Sequence, residues 1–160
     1  MAAAIHAHPA ASAILKPDDG VAELAAYWTD AYINVTCRLK ADFYNRRLKV
    51  IADIKTTTNV NPEPFARTCK KYRYYVQSAF YLNGFREVGF EVDDFLFIAI
   101  EKKPPYPIAI YRLAGDARSI GMTEYHNDLA VYRDCLDSGY WPGHGWNSEV
   151  PFGIQDLYLP

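Results

Sequence analysis

Three residues close together in the chain have the types and spacing to act on a phosphodiester. Asp53 and Lys55 flank Ile54, and Asp42 lies eleven positions upstream of Asp53. Side chains alternate along a β-strand, so Asp53 and Lys55 project from one face, about 7 Å apart at Cα. If the stretches around Asp42 and Asp53 pair as a hairpin, two registers are open. With Lys40 opposite Asp53, Asp42 faces Ile51 and is a diagonal neighbour of Asp53, roughly 7 Å away. A shift of two residues sets the aspartates directly opposite each other. Both registers aim two carboxylates and an ammonium at one spot. Side-by-side carboxylates repel unless something positive lies between them. Hard divalent cations favour oxygen ligands, and Mg²⁺ keeps several waters beside one or two carboxylates. Mg²⁺ or Mn²⁺ is therefore the expected cofactor. The lysine would hold or deprotonate an attacking water, or offset charge in the transition state. Asp-X-Lys also arises by chance, and an exposed hairpin with ordinary charges is the rival reading of these residues alone.

Alternation supports the hairpin. Residues 35–44 put Cys37, Leu39, Ala41 and Phe43 on one face, with Arg38, Lys40, Asp42 and Tyr44 on the other. Residues 48–55 put Leu48, Val50, Ala52 and Ile54 opposite Asp53 and Lys55, with Asn45-Arg46-Arg47 as the turn. Upstream, residues 1–20 read as helical up to the turn cluster Pro17-Asp18-Asp19-Gly20, and 21–29 as a strand. Residues 56–64, polar with two prolines, form a loop. Residues 65–82 lack internal Gly and Pro and stop at Asn83-Gly84, which predicts one helix of about five turns. Gln77 and Tyr81, four apart, share a face of it. The apolar run 95–100 is a buried strand, 108–113 another, and 119–137 a long helix. After Trp141-Pro142-Gly143 the tail is irregular. This order predicts an α/β fold, a small mixed sheet flanked by helices, within one domain spanning 1–160.

Half of the residues are hydrophobic, enough for a core, yet no apolar run approaches the length that spans a bilayer. The start, MAAAIHAHPAASAIL, lacks a basic region and is broken by Pro9, which makes it a poor signal peptide. Cys37, Cys69 and Cys135 are odd in number and too far apart for a CxxC pair, pointing to a reducing, cytoplasmic setting. The formal net charge of −2 hides an asymmetry: residues 38–73 hold ten Lys and Arg against three acids, a net of +7. A basic zone on an acidic body can steer a polyanion; a solvated helix face plus a charged hairpin is the alternative. Arg46 and Arg47, in the turn of the hairpin, are candidates to touch phosphate.

The stretches CRLKADF, VIADIKTT and YRYYVQSAFYLNGF resemble the PD-(D/E)XK nucleases, and more narrowly the exonuclease VIII (RecE-like) group related to RecB-type nuclease domains. In that group an Asp closes the first hairpin strand, Asp-X-Lys-Thr-Thr ends the second, and a Gln-x-x-x-Tyr helix follows. Glu23-Leu24-Ala25-Ala26-Tyr27-Trp28 is similar to the group's "AE…YW" strand, and Tyr125-His126 and Trp141-Pro142 to pairs near its C-terminal end. The resemblance implies a restriction-endonuclease-like core with Asp42 and Asp53 as metal ligands and the Ile54 carbonyl as a third. It implies Lys55 as the catalytic lysine, and Gln77, Tyr81 and Thr56 around the site or on DNA. Glu23 reads as a charged strand position rather than an outer ligand.

The implied activity is a metal-dependent 5′–3′ exodeoxyribonuclease acting on double-stranded DNA ends in recombination. It would belong to a prophage-type system, with a single-strand annealing partner and a homo-oligomeric assembly. Relatives carry an upstream Gly-Thr-Ala-x-His-like helix that adds an active-site residue; this chain begins after it, so a weak, self-associating nuclease is expected. His6 and His8, on a short solvent-facing helix, do not replace that residue. His126 reads as a helix residue and His144 as a loop residue. Two rivals are a DNA-binding remnant of the same fold without turnover, and a PD-(D/E)XK endonuclease.

Overall fold

Period-two runs of apolar residues build a five-stranded sheet, and helices settle on both of its faces. The structure, a computed structural model, describes residues 1–142; the expected irregular tail and His144 lie outside them. The strands are β1 (Gly20–Thr29), β2 (Thr36–Asn45), β3 (Val50–Thr57), β4 (Asp94–Glu101) and β5 (Ile108–Arg112). They lie side by side in chain order, antiparallel except for the parallel β3–β4 pair. Parallel neighbours need a crossover, supplied here by α3 (Pro62–Lys71) and α4 (Tyr74–Glu87). Two short helices, α1 (Ala2–Ala7) and α2 (Pro9–Ile14), precede the sheet, and α5 (Ala117–Ser138) follows it. The α/β class and the mixed sheet flanked by helices are as the sequence predicts.

Two cores share the sheet. On one face Trp28, Leu39, Ala41, Ile51, Phe95 and Phe97 pack with Phe65, Leu82 and Phe85 of α3 and α4. On the other, Phe43, Val50, Ala52, Ile98 and Ile100 pack with Ile5, Ala11 and Ile14 of α1 and α2. The predicted helix over 1–20 is therefore two helices and a strand start. The break comes at His8, whose Nδ1 accepts from Ala11 N at 3.2 Å, with Pro9 opening α2. His8 is a cap, not a free surface histidine, and α1 is seated on the sheet by buried Ile5.

The predicted helix over 65–82 also differs. It breaks at Tyr72–Arg73, where Arg73 adopts a left-handed backbone, φ 54°. A non-glycine residue there costs roughly 1–3 kcal/mol. Ion pairs of Arg73 with Glu124 and Asp128 of α5, each at 2.9 Å, offset that cost. At the other end α4 runs through Asn83-Gly84 to Glu87. Gly84 is there for space, since a Cβ would meet Trp28 Cη2 at 2.5 Å. Among the described residues no helix is long and apolar enough to cross a membrane, and all three cysteines are free.

Candidate active site

The aspartates meet where two strands change sides. Cys37, Leu39 and Ala41 of β2 point toward α4, but Phe43 points to the N-terminal helices, and Tyr44 toward α4 again. The expected placing of Phe43 with Ala41 is thus corrected: strict alternation fails at Asp42. Its neighbour does the same, with Leu24 packed on the α4 side and Ala22 on the other. In the β1–β2 register, Glu23 falls opposite Asp42, and Glu23 takes a left-handed φ of 54°. The shared corner turns Asp42 toward β3.

The β2–β3 ladder runs from Asn45↔Val50 to Phe43↔Ala52. Continued one step, this register places Asp42 directly opposite Asp53, the second of the two open registers. Instead of a further ladder bond, the Asp42 Oδ2 accepts from Ile54 N at 2.8 Å. The strands part beyond this point and leave a cleft. A cavity of about 400 Å³ opens here, lined among others by Ile5, His6, Gly20, Asp42 and Ile54. Burial, first of all, raises the Asp42 carboxyl above its ordinary value, and the Asp53 and Glu23 charges add to this against the Ile54 N–H and Lys55.

Asp53 is buried in the middle of β3. Gln77 of α4 donates from Nε2 to Asp53 Oδ1 at 2.7 Å, and Lys55 Nζ lies 2.8 Å from Oδ2. Lys55 also sits 4.4 Å from the ring centre of Tyr74, itself stacked on Phe97. The ammonium is thereby held between a carboxylate and an aromatic face. Tyr81, one turn beyond Gln77, donates from its hydroxyl to Lys40 O at 3.3 Å. The Gln-x-x-x-Tyr pair therefore holds both halves of the site: Gln77 the Asp53 side chain, Tyr81 the β2 backbone.

A hard divalent cation fits this donor set. Asp53 Oδ2 is buried, with the Lys55 ammonium 2.8 Å away as its counter-charge. Asp42 lies across the register with its proton affinity raised. A cation reached by both carboxylates would cancel their repulsion, which one lysine only partly offsets. Asp42, Asp53 and the Ile54 carbonyl are the groups to hold it, with water completing the shell. Among the described residues no cluster of three His, Cys, Asp or Glu side chains forms a metal site.

The remaining candidates divide. Thr56 is exposed near the end of β3, one residue past Lys55. Arg46 and Arg47 are not brought to the carboxylates. They lie in the turn past the Asn45 end of β2, four and five residues on from Asp42, roughly 13 Å or more along the chain if extended. There Arg47 pairs with Asp19 at 3.1 Å. Nor does the basic segment form one surface, because Lys40, Lys49, Arg67 and Arg73 are each paired with acids. His126 is half-buried on α5, with Nδ1 2.9 Å from Met122 O. Sequence reasoning missed Tyr74 as the support of Lys55, and the exposed His6 as part of the Asp42 cavity. Spacing puts Tyr74, three residues before Gln77, on or near the Gln77 side of the helix but does not reveal its contact with Lys55, and the placing of His6 depends on how α1 docks. A larger, apolar cavity of about 480 Å³ lies between α3, β5 and α5. Its one carboxylate, Glu124, is already taken by Arg73 and Tyr75.

Over residues 1–150 the chain matches the family described as "PDDEXK-like domain of unknown function (DUF3799)". It superposes on a crystal structure from Eubacterium rectale described as a "putative exonuclease", with a TM-score of 0.68 and 14% identity, covering 99% of this chain and 60% of that one. The chain thus spans about 60% of that protein's length. A second solved structure, SSO0001, gives a TM-score of 0.49 and 16% identity over 92% of this chain and 67% of that one. No curated protein matches. At 14% identity the Eubacterium rectale likeness is one of fold, and it agrees with the PD-(D/E)XK core expected from the sequence.

Proposed function

The chain belongs to this PDDEXK-like family, and from that premise we propose that it is a metal-dependent nuclease whose working groups are Asp42, Asp53 and Lys55. One observation carries the reading. A buried carboxylate faces a second, half-buried carboxylate across a strand register, with one lysine held beside them. Two carboxylates share one ammonium there, and the excess partly buried negative charge costs stability when nothing positive joins them.

Bound Mg²⁺ or Mn²⁺ would supply Lewis-acid polarisation of a phosphate oxygen and a lowered pKa for a coordinated water. The protein's own groups do the rest. Asp42 and Asp53, with the Ile54 carbonyl, would hold that ion. Gln77 fixes the Asp53 carboxylate, and Ile54 N–H fixes Asp42. Lys55, seated on Tyr74, points its ammonium at the same place, ready to orient water or oppose developing negative charge.

The finer reading is the RecE-like one: digestion of double-stranded DNA ends, 5′ to 3′, in recombination, by a homo-oligomer working with a single-strand annealing partner. It is supported by the order of the motifs around Asp42, Asp53-Ile54-Lys55 and Gln77-x-x-x-Tyr81. The test uses linear duplexes labelled at either 5′ or 3′ ends, and supercoiled circles, with Mg²⁺ or Mn²⁺. Loss of 5′ label as mononucleotides with intact circles is the expected result. Nicked circles would replace it by an endonuclease, and retarded but uncut DNA by a binding module.

A further inference from the structure

We propose that the exposed face of the β1–β2 ribbon is a track for single-stranded DNA that ends at the Asp42 corner. This rests on the nuclease reading and adds the path of the strand to it. The N-terminal helices cover only part of the sheet face they dock on, the part around Phe43, Val50, Ala52 and Ile98. Beyond the Glu23–Asp42 corner, that face of the ribbon is open: Ala25, Tyr27, Thr29, Thr36, Arg38 and Lys40 are all exposed.

Its chemistry suits a polynucleotide. Tyr27 is 65% exposed on a strand of a folded domain, where a large aromatic ring gains nothing from burial. Its Cα partner in the register is Arg38, so ring and guanidinium stand side by side on one face. Arg38 has no ion pair among the described residues, unlike most of the basic segment. Lys40 follows two residues along β2, about 6.8 Å further, a step that suits successive phosphates of an extended strand. Two positions further the strand reaches the corner at Asp42. Cations spaced along one strand, with an aromatic platform beside them, form the pattern by which single strands are gripped without sequence preference. A duplex keeps its bases stacked inside and offers no base to Tyr27, so the occupant is a single strand. The ion pair of Lys40 with Glu23 tempers this track, because Glu23 occupies the ammonium that would meet phosphate.

The experiment measures fluorescence anisotropy of a short labelled oligothymidine against the full chain in EDTA, so that nothing is cut. Circular dichroism confirms the fold of each variant. Tyr27→Ala should weaken binding about tenfold, within the range lost per unstacked base. Arg38→Ala should flatten the plot of log affinity against log salt by about 0.7, one single-strand phosphate contact. Glu23→Gln, which frees Lys40, should tighten binding. Folded Tyr27→Ala and Arg38→Ala proteins that bind like wild type would overturn the proposal. So would an effect confined to an Arg46→Ala/Arg47→Ala variant. Mn²⁺ calorimetry on the same proteins keeps the two readings apart. Asp53→Ala should lose metal but keep oligothymidine, whereas the ribbon variants should keep metal; wild type that binds the strand but no metal would sink the nuclease reading alone.

Discussion

Replacing Asp42 separates the two jobs its carboxylate holds. One is structural, since Oδ2 accepts from Ile54 N at 2.8 Å where the β2–β3 ladder stops. The other is electrostatic, since the half-buried charge faces Asp53 and is raised in pKa, chiefly by burial. Asp42→Asn keeps an oxygen for Ile54 and removes the charge; Asp42→Ala removes both. In the folded state Asp42 holds its proton to higher pH than in the unfolded chain. Below the ordinary carboxylate range both states are protonated and the site costs nothing. As pH rises through the raised folded value, the unfolded chain gives up the proton more readily, and the full cost stands at neutral pH. Without metal, Asp42→Asn should therefore melt at or above the wild-type temperature at pH 7, and the gap should close on acidification. Asp42→Ala leaves a backbone donor without its partner, a loss of roughly 1–3 kcal/mol. At about 2–4 °C per kcal/mol for a chain of this size, that is a fall of roughly 2–12 °C. Saturating Mg²⁺ or Mn²⁺ at a hundred times its dissociation constant should stabilise wild type by about 2.7 kcal/mol, or roughly 5–11 °C. Neither variant should show that rise. The assay is differential scanning fluorimetry across pH, with and without metal. An Asp42→Asn protein that melts as low as Asp42→Ala, or that keeps the full metal response, would refute the reasoning.

Other expectations follow from single contacts. Lys55→Ala should abolish hydrolysis while keeping or tightening Mn²⁺ binding by calorimetry, because it removes the ammonium beside buried Asp53 Oδ2; Lys55→Arg should not rescue, since a planar fork replaces a compact ammonium. Gln77→Leu removes the donor to Asp53 Oδ1 and should cost about 10–100-fold in metal affinity or rate, read by Mn²⁺ titration and single-turnover digestion. Gly84→Ala would push a methyl to 2.5 Å from Trp28 Cη2 and should destabilise by about 1–3 kcal/mol in urea unfolding. The Cys69 thiol, pushed up to about 11 by burial, should resist alkylation at pH 8 in the folded protein and react once unfolded.

Much of the site was legible because it depends on a period of two. Asp53 and Lys55 must share a face of any strand, and Asp42 must meet Asp53 in either hairpin register. What decided between registers was a corner the sequence does not advertise. Glu23 enters the left-handed region without being glycine, and alternation then misassigned Phe43. The same blindness hid the break between α3 and α4, where Arg73 turns left-handed, held by acids fifty residues away. Gly84 misled in the opposite sense, reading as a stop when it was a clearance for Trp28. The reach of the basic segment failed for a further reason. Charge counts ignore partners, and Asp19, Glu23, Glu91 and Glu124 lie far from the segment in sequence or outside it, yet neutralise much of it in space.

The central claim is that Asp42 and Asp53 together hold a divalent cation beside Lys55. Anomalous diffraction from crystals soaked in Mn²⁺ tests it most directly. A single strong peak touching both carboxylates and the Ile54 carbonyl is the predicted result. No peak there, or a peak elsewhere on the chain, at a Mn²⁺ concentration that supports DNA digestion in solution would contradict it.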